Sequence, residues 1–193
     1  MQVDKILGEG AEGITYLVTD KKSKDHKKWA MKLIKLPLPI RLVQSIFREI
    51  KLQSDLGEGH FNIVDPEEVV LLSHHLGIVM EFVGGGSMTG LISDRFKECR
   101  GQGLLMKEDE ALYFFRQIVN AIDYCHMNHV VHRDLKLDNT LLTSDSPPRI
   151  KICDFGFARG WGQESNFTTV IGTPGKSLLE HPHLRLSFTL ATH

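Results

Sequence analysis

An α+β fold in two lobes is predicted by three observations. Short β-branched and aromatic runs broken by turns fill the first third of the chain. The triplet Gly84-Gly85-Gly86 then interrupts that pattern, and helical spacing takes over after it. We expect a strand-rich N-terminal lobe with one helix over residues 1–83, a helical second lobe over 84–174 with that glycine hinge at its start, and a separate tail over 175–193.

Each element has its own signal. KILGEG runs into a glycine turn, ITYLVTD follows as a strand, and WAMKLIKL forms another. The intervening KKSKDHKK is read as a solvated turn, with a phosphate-binding basic patch as the alternative. IRLVQSIFREIKLQSDL places Leu42, Val43, Ile46, Phe47 and Ile50 at helical spacing, and Gly57 and Gly59 stop it. EEVVLLS and LGIVMEFV read as a strand pair. Beyond the hinge, EDEALYFFRQIVNAIDYCHMN repeats apolar residues at Ala111, Phe114, Ile118, Ala121, Ile122 and Cys125, a long helical face. RIKIC is a short strand, and a loop rich in Ser, Thr and Gly follows it.

Composition excludes several classes. The 193 residues are enough to bury a core, and 41% hydrophobic with 24% charged residues is ordinary for a globular chain. A net charge of −1 gives no support for a nucleic-acid or membrane surface. Cys99, Cys125 and Cys153 lie far apart with no C-x-x-C pair, so reduced thiols are expected rather than a disulfide framework. No apolar run reaches the roughly 18 residues of a membrane span, and the N-terminus lacks the apolar centre of a signal peptide.

Five stretches carry chemistry. Gly8, Gly10 and Gly13 stand in G-x-G-x-x-G spacing, but the pattern runs into a strand, not the helix a dinucleotide-binding turn needs. Backbone N–H groups of such a hairpin can cover phosphates; plain turn chemistry is the alternative. Lys32 lies on the neighbouring strand, and Glu49, flanked by Phe47 and Ile50, is its candidate counter-charge; a solvated Glu is the commoner fate. In HVVHRDLKLDNTLL, Arg133, Asp134, Lys136, Asp138 and Asn139 crowd between apolar ends, and burying them is costly unless something pairs with them. In KICDFGFARG, Asp154 ends an apolar strand beside Gly156, which suits a metal ligand and equally an ordinary turn.

Taken in order, G-x-G-x-x-G, strand Lys32, helix Glu49, H-R-D-L-K-x-x-N and D-F-G closely resemble the catalytic domain of the eukaryotic protein kinases, from Leu7 to about Pro174. The resemblance implies a two-lobed protein-kinase-like fold, ATP and Mg2+, and transfer of the γ-phosphate to protein Ser or Thr hydroxyls. It implies that Asp134 orients the attacking hydroxyl, Lys136 meets the γ-phosphate, and Lys32, fixed by Glu49, contacts the α- and β-phosphates. Asn139 and Asp154 would hold the metal. Gly8, Glu9, Gly10, Gly13, Ala30, Glu81 and Val83 complete the implied nucleotide set. Lys136 and Gly172-Thr173-Pro174 look like the serine/threonine class. Within it, HRDLKLDNTLL and SPPRIKICDFGFA look most like the plant and algal stress-responsive branch of the sucrose-non-fermenting-1-related kinases.

Regulation is implied too. Arg133 would pair with a phosphate on Thr169, placed there by an upstream activating kinase, with Ser165 and Thr168 as neighbours; a plain solvated threonine is the alternative. The expected partners are that kinase and a protein substrate, with no nucleic acid and no membrane, and the expected setting is cytoplasmic, nuclear or both.

The sequence leaves the family pattern at Glu12, Thr15 and Ser87, and most of all after Pro174, where GKSLLEHPHLRLSFTLATH carries no A-P-E motif. The expectation is a C-terminally truncated kinase domain with an incomplete helical C-lobe, whose last nineteen or so residues come from a reading-frame change, an unspliced intron or an alternative transcript. The helix from Glu110 to Asn128 would then turn its apolar stripe to water or to a partner. The rival reading is a non-catalytic fragment that binds ATP or competes for a kinase's partners.

Overall fold

The computed structural model describes residues 1–10, 13–100, 103–155, 159–160 and 185–188. In chain order its elements begin with strands β1 (Gln2–Gly10), β2 (Gly13–Thr19) and β3 (Lys28–Lys35), helix α1 (Ile40–Gly57), and strands β4 (Pro66–Leu71) and β5 (His75–Glu81). Helices α2 (Met88–Glu98) and α3 (Glu108–Met127) follow, then the short strands β6 (Val130–Val131), β7 (Thr140–Leu142), β8 (Ile150–Ile152), β9 (Arg159–Gly160) and β10 (Arg185–Phe188). The chain forms two units: one of residues 1–54, 65–82 and 171–193, the other of 55–64 and 83–170.

The first unit is built on a sheet ordered β1-β2-β3-β5-β4-β10, antiparallel except for the β4–β10 pair. Alternation along the strands separates two apolar groups. Val18, Trp29, Val70 and Val79 pack together on one side, with Lys27 Nζ 3.9 Å over the Trp29 ring. Ile34, Val69, Leu76 and Ile78 pack with Ile46 and Ile50 of α1. Ile46 and Ile50 are four residues apart, so one helical stripe seats the whole helix. Of the basic run, residues 21–27 form a turn exposed except for half-buried Ser23, closed by Asp20 N–H on Lys27 O at 2.9 Å, and Lys28 begins β3.

The second unit packs α3 against β6 and β8, and α2 against β7 and the 3-10 turn Leu137–Asn139. Helix α2 was not foreseen. Ser87 caps it, its Oγ accepting from Gly90 N–H at 3.1 Å. Helix α3 corrects a sequence expectation. Phe114, Ala121 and Cys125 are buried inside the unit, because β6 and β8 cover that stripe. The larger apolar residues of α3 that face water are Leu112, Phe115, Val119 and Met127, and of the expected stripe Ala111 is exposed as well. Among the described residues no helix is long and apolar enough to cross a membrane.

Candidate functional site

The residues singled out in the sequence fall into two groups. Gly8, Glu9, Gly10, Gly13, Ala30, Lys32, Glu49 and Glu81 lie in the first unit; Val83, Arg133, Asp134, Lys136, Asn139 and Asp154 lie in the second. Glu12, Ser165, Thr168, Thr169, Gly172, Thr173 and Pro174 fall outside the described residues.

In the first unit, β1 is exposed along its length and pairs with β2 through Gly8–Thr15, Glu9–Ile14 and Gly10–Gly13. A side chain at Gly8 would meet nothing within 4 Å, whereas a Cβ on Gly13 would collide with the backbone oxygen of Leu33. Gly13 is therefore required by the close approach of β3, and Gly8 leaves the hairpin open. Lys32 sits in the middle of β3, between Thr15 of β2 and Ile78 of β5. Its Nζ meets Glu49 Oε1 at 3.4 Å, with the side chains only 17% and 7% exposed. The seventeen-residue separation is closed because Ile46 and Ile50, on either side of Glu49, are both 1% exposed. Ala30 pairs with Leu17 and Met80, and Glu81 Oε1 accepts from Asp65 N–H at 3.0 Å.

In the second unit hydrogen bonds gather Asp134, Lys136 and Asn139 of the HVVHRDLKLDNTLL stretch. Lys136 Nζ donates to Asp134 Oδ2 at 2.8 Å. Asn139 Nδ2 donates to the same Oδ2 at 3.0 Å and to Asp134 O at 2.9 Å. The lysine, by hydrogen bond and charge, holds the Asp134 carboxyl below the usual aspartate range. With Oδ2 so occupied, Oδ1 faces no partner among the described residues. Thr140 Oγ1, fully buried, donates to Lys136 O at 3.0 Å and fixes the turn from behind. Cys153 N–H donates to Asn139 O at 3.0 Å, tying the segment before Asp154 to the loop. Arg133 and Asp154 both adopt left-handed backbone, φ 63° and 64°, which is costly for residues with a Cβ and persists only where surroundings enforce it.

His132 does that enforcing, and sequence reasoning missed it. At 2% exposure it accepts from Asp134 N–H on Nδ1 at 3.3 Å, so its proton lies on Nε2, which donates to Cys153 O at 3.1 Å. Its ring packs edge-on against Phe155, centroids 4.7 Å apart. Burial pushes its pKa below the usual 6.5, which keeps the ring neutral. The spacing of His126, His129 and His132 concealed this role, since the first two are exposed and the third is not. A second unforeseen device holds residues 60–64. Asn62 Nδ2 bonds Gln117 Oε1 at 3.2 Å and Ile150 O at 2.8 Å, while Arg149 and Lys151 lie 3.9 and 4.5 Å over the Phe61 ring.

The residues fit a magnesium–triphosphate complex. The Asn139 amide commits its nitrogen to Asp134 and keeps its oxygen, and among the described residues no hydrogen bond or ion pair engages the Asp154 carboxylate. Hard oxygen donors of this kind suit Mg2+, which takes one or two protein ligands and completes its shell with phosphates and water. Among the described residues no cluster of three or more His, Cys, Asp or Glu side chains offers an all-protein metal cage.

Comparison with known proteins agrees with this chemistry. A family model described as protein kinase domain matches residues 1–175. The chain is 38% identical over 173 residues to serine/threonine-protein kinase SRK2C of Arabidopsis thaliana, covering 90% of this chain and 46% of that protein. It is 40% identical over 170 residues to serine/threonine-protein kinase SAPK3 of Oryza sativa subsp. indica, covering 88% and 47%. With SAPK7 of Oryza sativa subsp. japonica it shares 38% over 170 residues, covering 88% and 44%. The chain spans just under half the length of the curated relatives it matches.

Proposed function

The chain belongs to the protein kinase domain family, and from that premise we propose that it transfers the γ-phosphate of ATP to serine or threonine hydroxyls of a protein substrate. The arrangement at Asp134 carries the reading: Oδ2 is held by Lys136 and Asn139, and Oδ1 is left to meet a hydroxyl. A carboxylate with a lowered pKa is a weak base, which suits a reaction in which the proton leaves late and positioning does most of the work. Lys136 brings its cation beside the transferring group while neutralising Asp134. On the family pattern Lys32, steadied by Glu49, would meet the α- and β-phosphates and Gly8, Glu9, Gly10 and Gly13 would cover them; Ala30 and Glu81 of the first unit and Val83 of the second are the other expected nucleotide contacts. Asn139 and Asp154 would hold Mg2+, which when bound neutralises phosphate charge. Arg133 is exposed on its strained backbone, a position suited to receive a phosphorylated Thr169 delivered by an upstream kinase.

The test is to measure thermal stabilisation of the chain by Mg-ATP and, separately, phosphate transfer to a protein substrate, with Asp134→Asn as control. Stabilisation together with transfer that the substitution abolishes supports the enzyme. Stabilisation without transfer supports the rival, a fragment that binds nucleotide or competes for a kinase's partners.

A further inference from the structure

Backbone amides alternate between the two sides of a strand. Leu72 N–H bonds His75 O at 2.8 Å and closes the turn into β5. The amides of Val70 and Leu72 therefore face β5, and those of Val69 and Leu71 face the opposite edge of β4. Without another strand that edge would present a row of unpaired N–H and C=O groups, a template for any extended segment. Here Arg185, Leu186, Ser187 and Phe188 run parallel along it, opposite Glu68, Val69, Val70 and Leu71. In a parallel ladder a residue bonds to the positions flanking its partner. Ser187 thus turns its N–H and C=O toward β4, to Val69 O and Leu71 N–H, and Arg185 turns its C=O to Val69 N–H.

The strand so covered does more than close the sheet. Val69, 2% exposed, shares its apolar cluster with Ile46 and Ile50, the residues on either side of Glu49. We propose that the outer edge of β4 is a docking site for an extended peptide segment, filled in this chain by its own residues 185–188, and that its occupancy steadies the strand on which α1 rests. This inference does not depend on phosphoryl transfer.

Residue-resolved amide hydrogen exchange tests it, first on the intact chain. Val69 and Leu71 should then be protected along with Val70 and Leu72; free exchange at Val69 and Leu71 beside protected Val70 and Leu72 would overturn the proposal. Ser187→Pro removes the N–H aimed at β4 and should speed exchange at Val69 and Leu71 tenfold or more while sparing Val70 and Leu72. Leu186→Pro, whose lost N–H points away from β4, should change them much less. Equal loss at all four amides in Ser187→Pro would count against a local docking site. Adding the peptide LRLSFT at millimolar concentration to the Ser187→Pro variant should restore protection at Val69 and Leu71, and failure to do so would sink the idea that the edge recognises a strand.

Discussion

Glu49 and Asp134 are both carboxylates assigned to the same chemistry, yet different forces hold them. Glu49 is placed by its neighbours: Ile46 and Ile50 sink into the apolar cluster of the first unit, and the carboxylate between them is carried to Lys32 at 3.4 Å. Asp134 has no such anchor. Its flanking Leu135 and Leu137 are exposed, and it is fixed by hydrogen bonds from Lys136, Asn139 and, through its own N–H, His132. A greasy core tolerates small losses by relaxing, whereas a polar network loses geometry when one member leaves. The first unit should therefore fail through stability, and the second through alignment.

The sharpest way to break that contrast is Asp134→Asn. The amide keeps the shape and can still accept from Lys136 and Asn139, so the melting temperature should stay close to that of the parent. Transfer should fall by roughly 10²- to 10⁴-fold, the usual contribution of a positioned acid or base. A matching fall in stability would mean that this loop, too, is held together by the residue that acts.

Ile50→Ala is the converse. Removing most of a side chain that is 1% exposed should cost about 2–5 kcal/mol in denaturant unfolding. It should also loosen the Lys32–Glu49 pair, seen as weaker nucleotide affinity before any unfolding. An unchanged affinity at full folding would show that Glu49 does not depend on the packing around it.

These two sites were not equally legible in the sequence. The strand-and-helix pattern of the first unit was readable because periodicity reports burial directly, but periodicity alone left Glu49 as easily solvated as paired, and the resemblance pointed it to Lys32. The glycine spacing and the H-R-D and D-F-G stretches were readable as residues, but the agent that joins them, His132, was not. Its partners are Asp134 N–H nearby and Cys153 O twenty-one residues on, and no local pattern encodes a contact of that kind. Helix α2 was missed although Met88, Leu91, Ile92 and Phe96 recur at helical spacing: only Met88 among them is buried, and the helix start rests on one Ser87 hydroxyl. The water-facing stripe of α3 was misplaced because Leu112, Phe115 and Val119 also recur at helical spacing. Only the packing against β6 and β8 decides which stripe is covered.

His132→Phe asks whether the polar network is what holds the second unit. The ring can still pack on Phe155, but Asp134 N–H and Cys153 O lose their partner, a cost of about 1–3 kcal/mol. The pH dependence carries the sign. Burial lowers the folded pKa of His132, so the unfolded chain takes up its proton first as acid is added. The stabilising contribution is whole above about 6.5 and is lost as pH falls through the lower folded value. His60, lowered by burial and by Lys151, acts in the same direction. Urea unfolding at pH 7 and pH 5 should show a drop in stability on acidification that is smaller, though not absent, in His132→Phe.

The smallest effect should come from an ion pair that both forces touch. Arg95 of α2 grips Glu110 of α3 with two bonds of 2.6 and 2.7 Å and also donates to Leu105 O at 3.1 Å. The two side chains are 29% and 33% exposed, so water screens much of the attraction. Arg95→Lys keeps the charge but loses the fork, and should cost about 0.5–1 kcal/mol, shrinking further in high salt. The Arg95 hydrogen bonds hold the Glu110 carboxyl below its usual 4.5, so its contribution is complete above that value and fades as pH falls through the lower folded one. A double-mutant cycle with Glu110→Gln measures the coupling. A coupling several times larger would place this pair with His132 among the ties that hold the second unit, while a value near zero would leave the α2–α3 connection to apolar packing, as in the first unit.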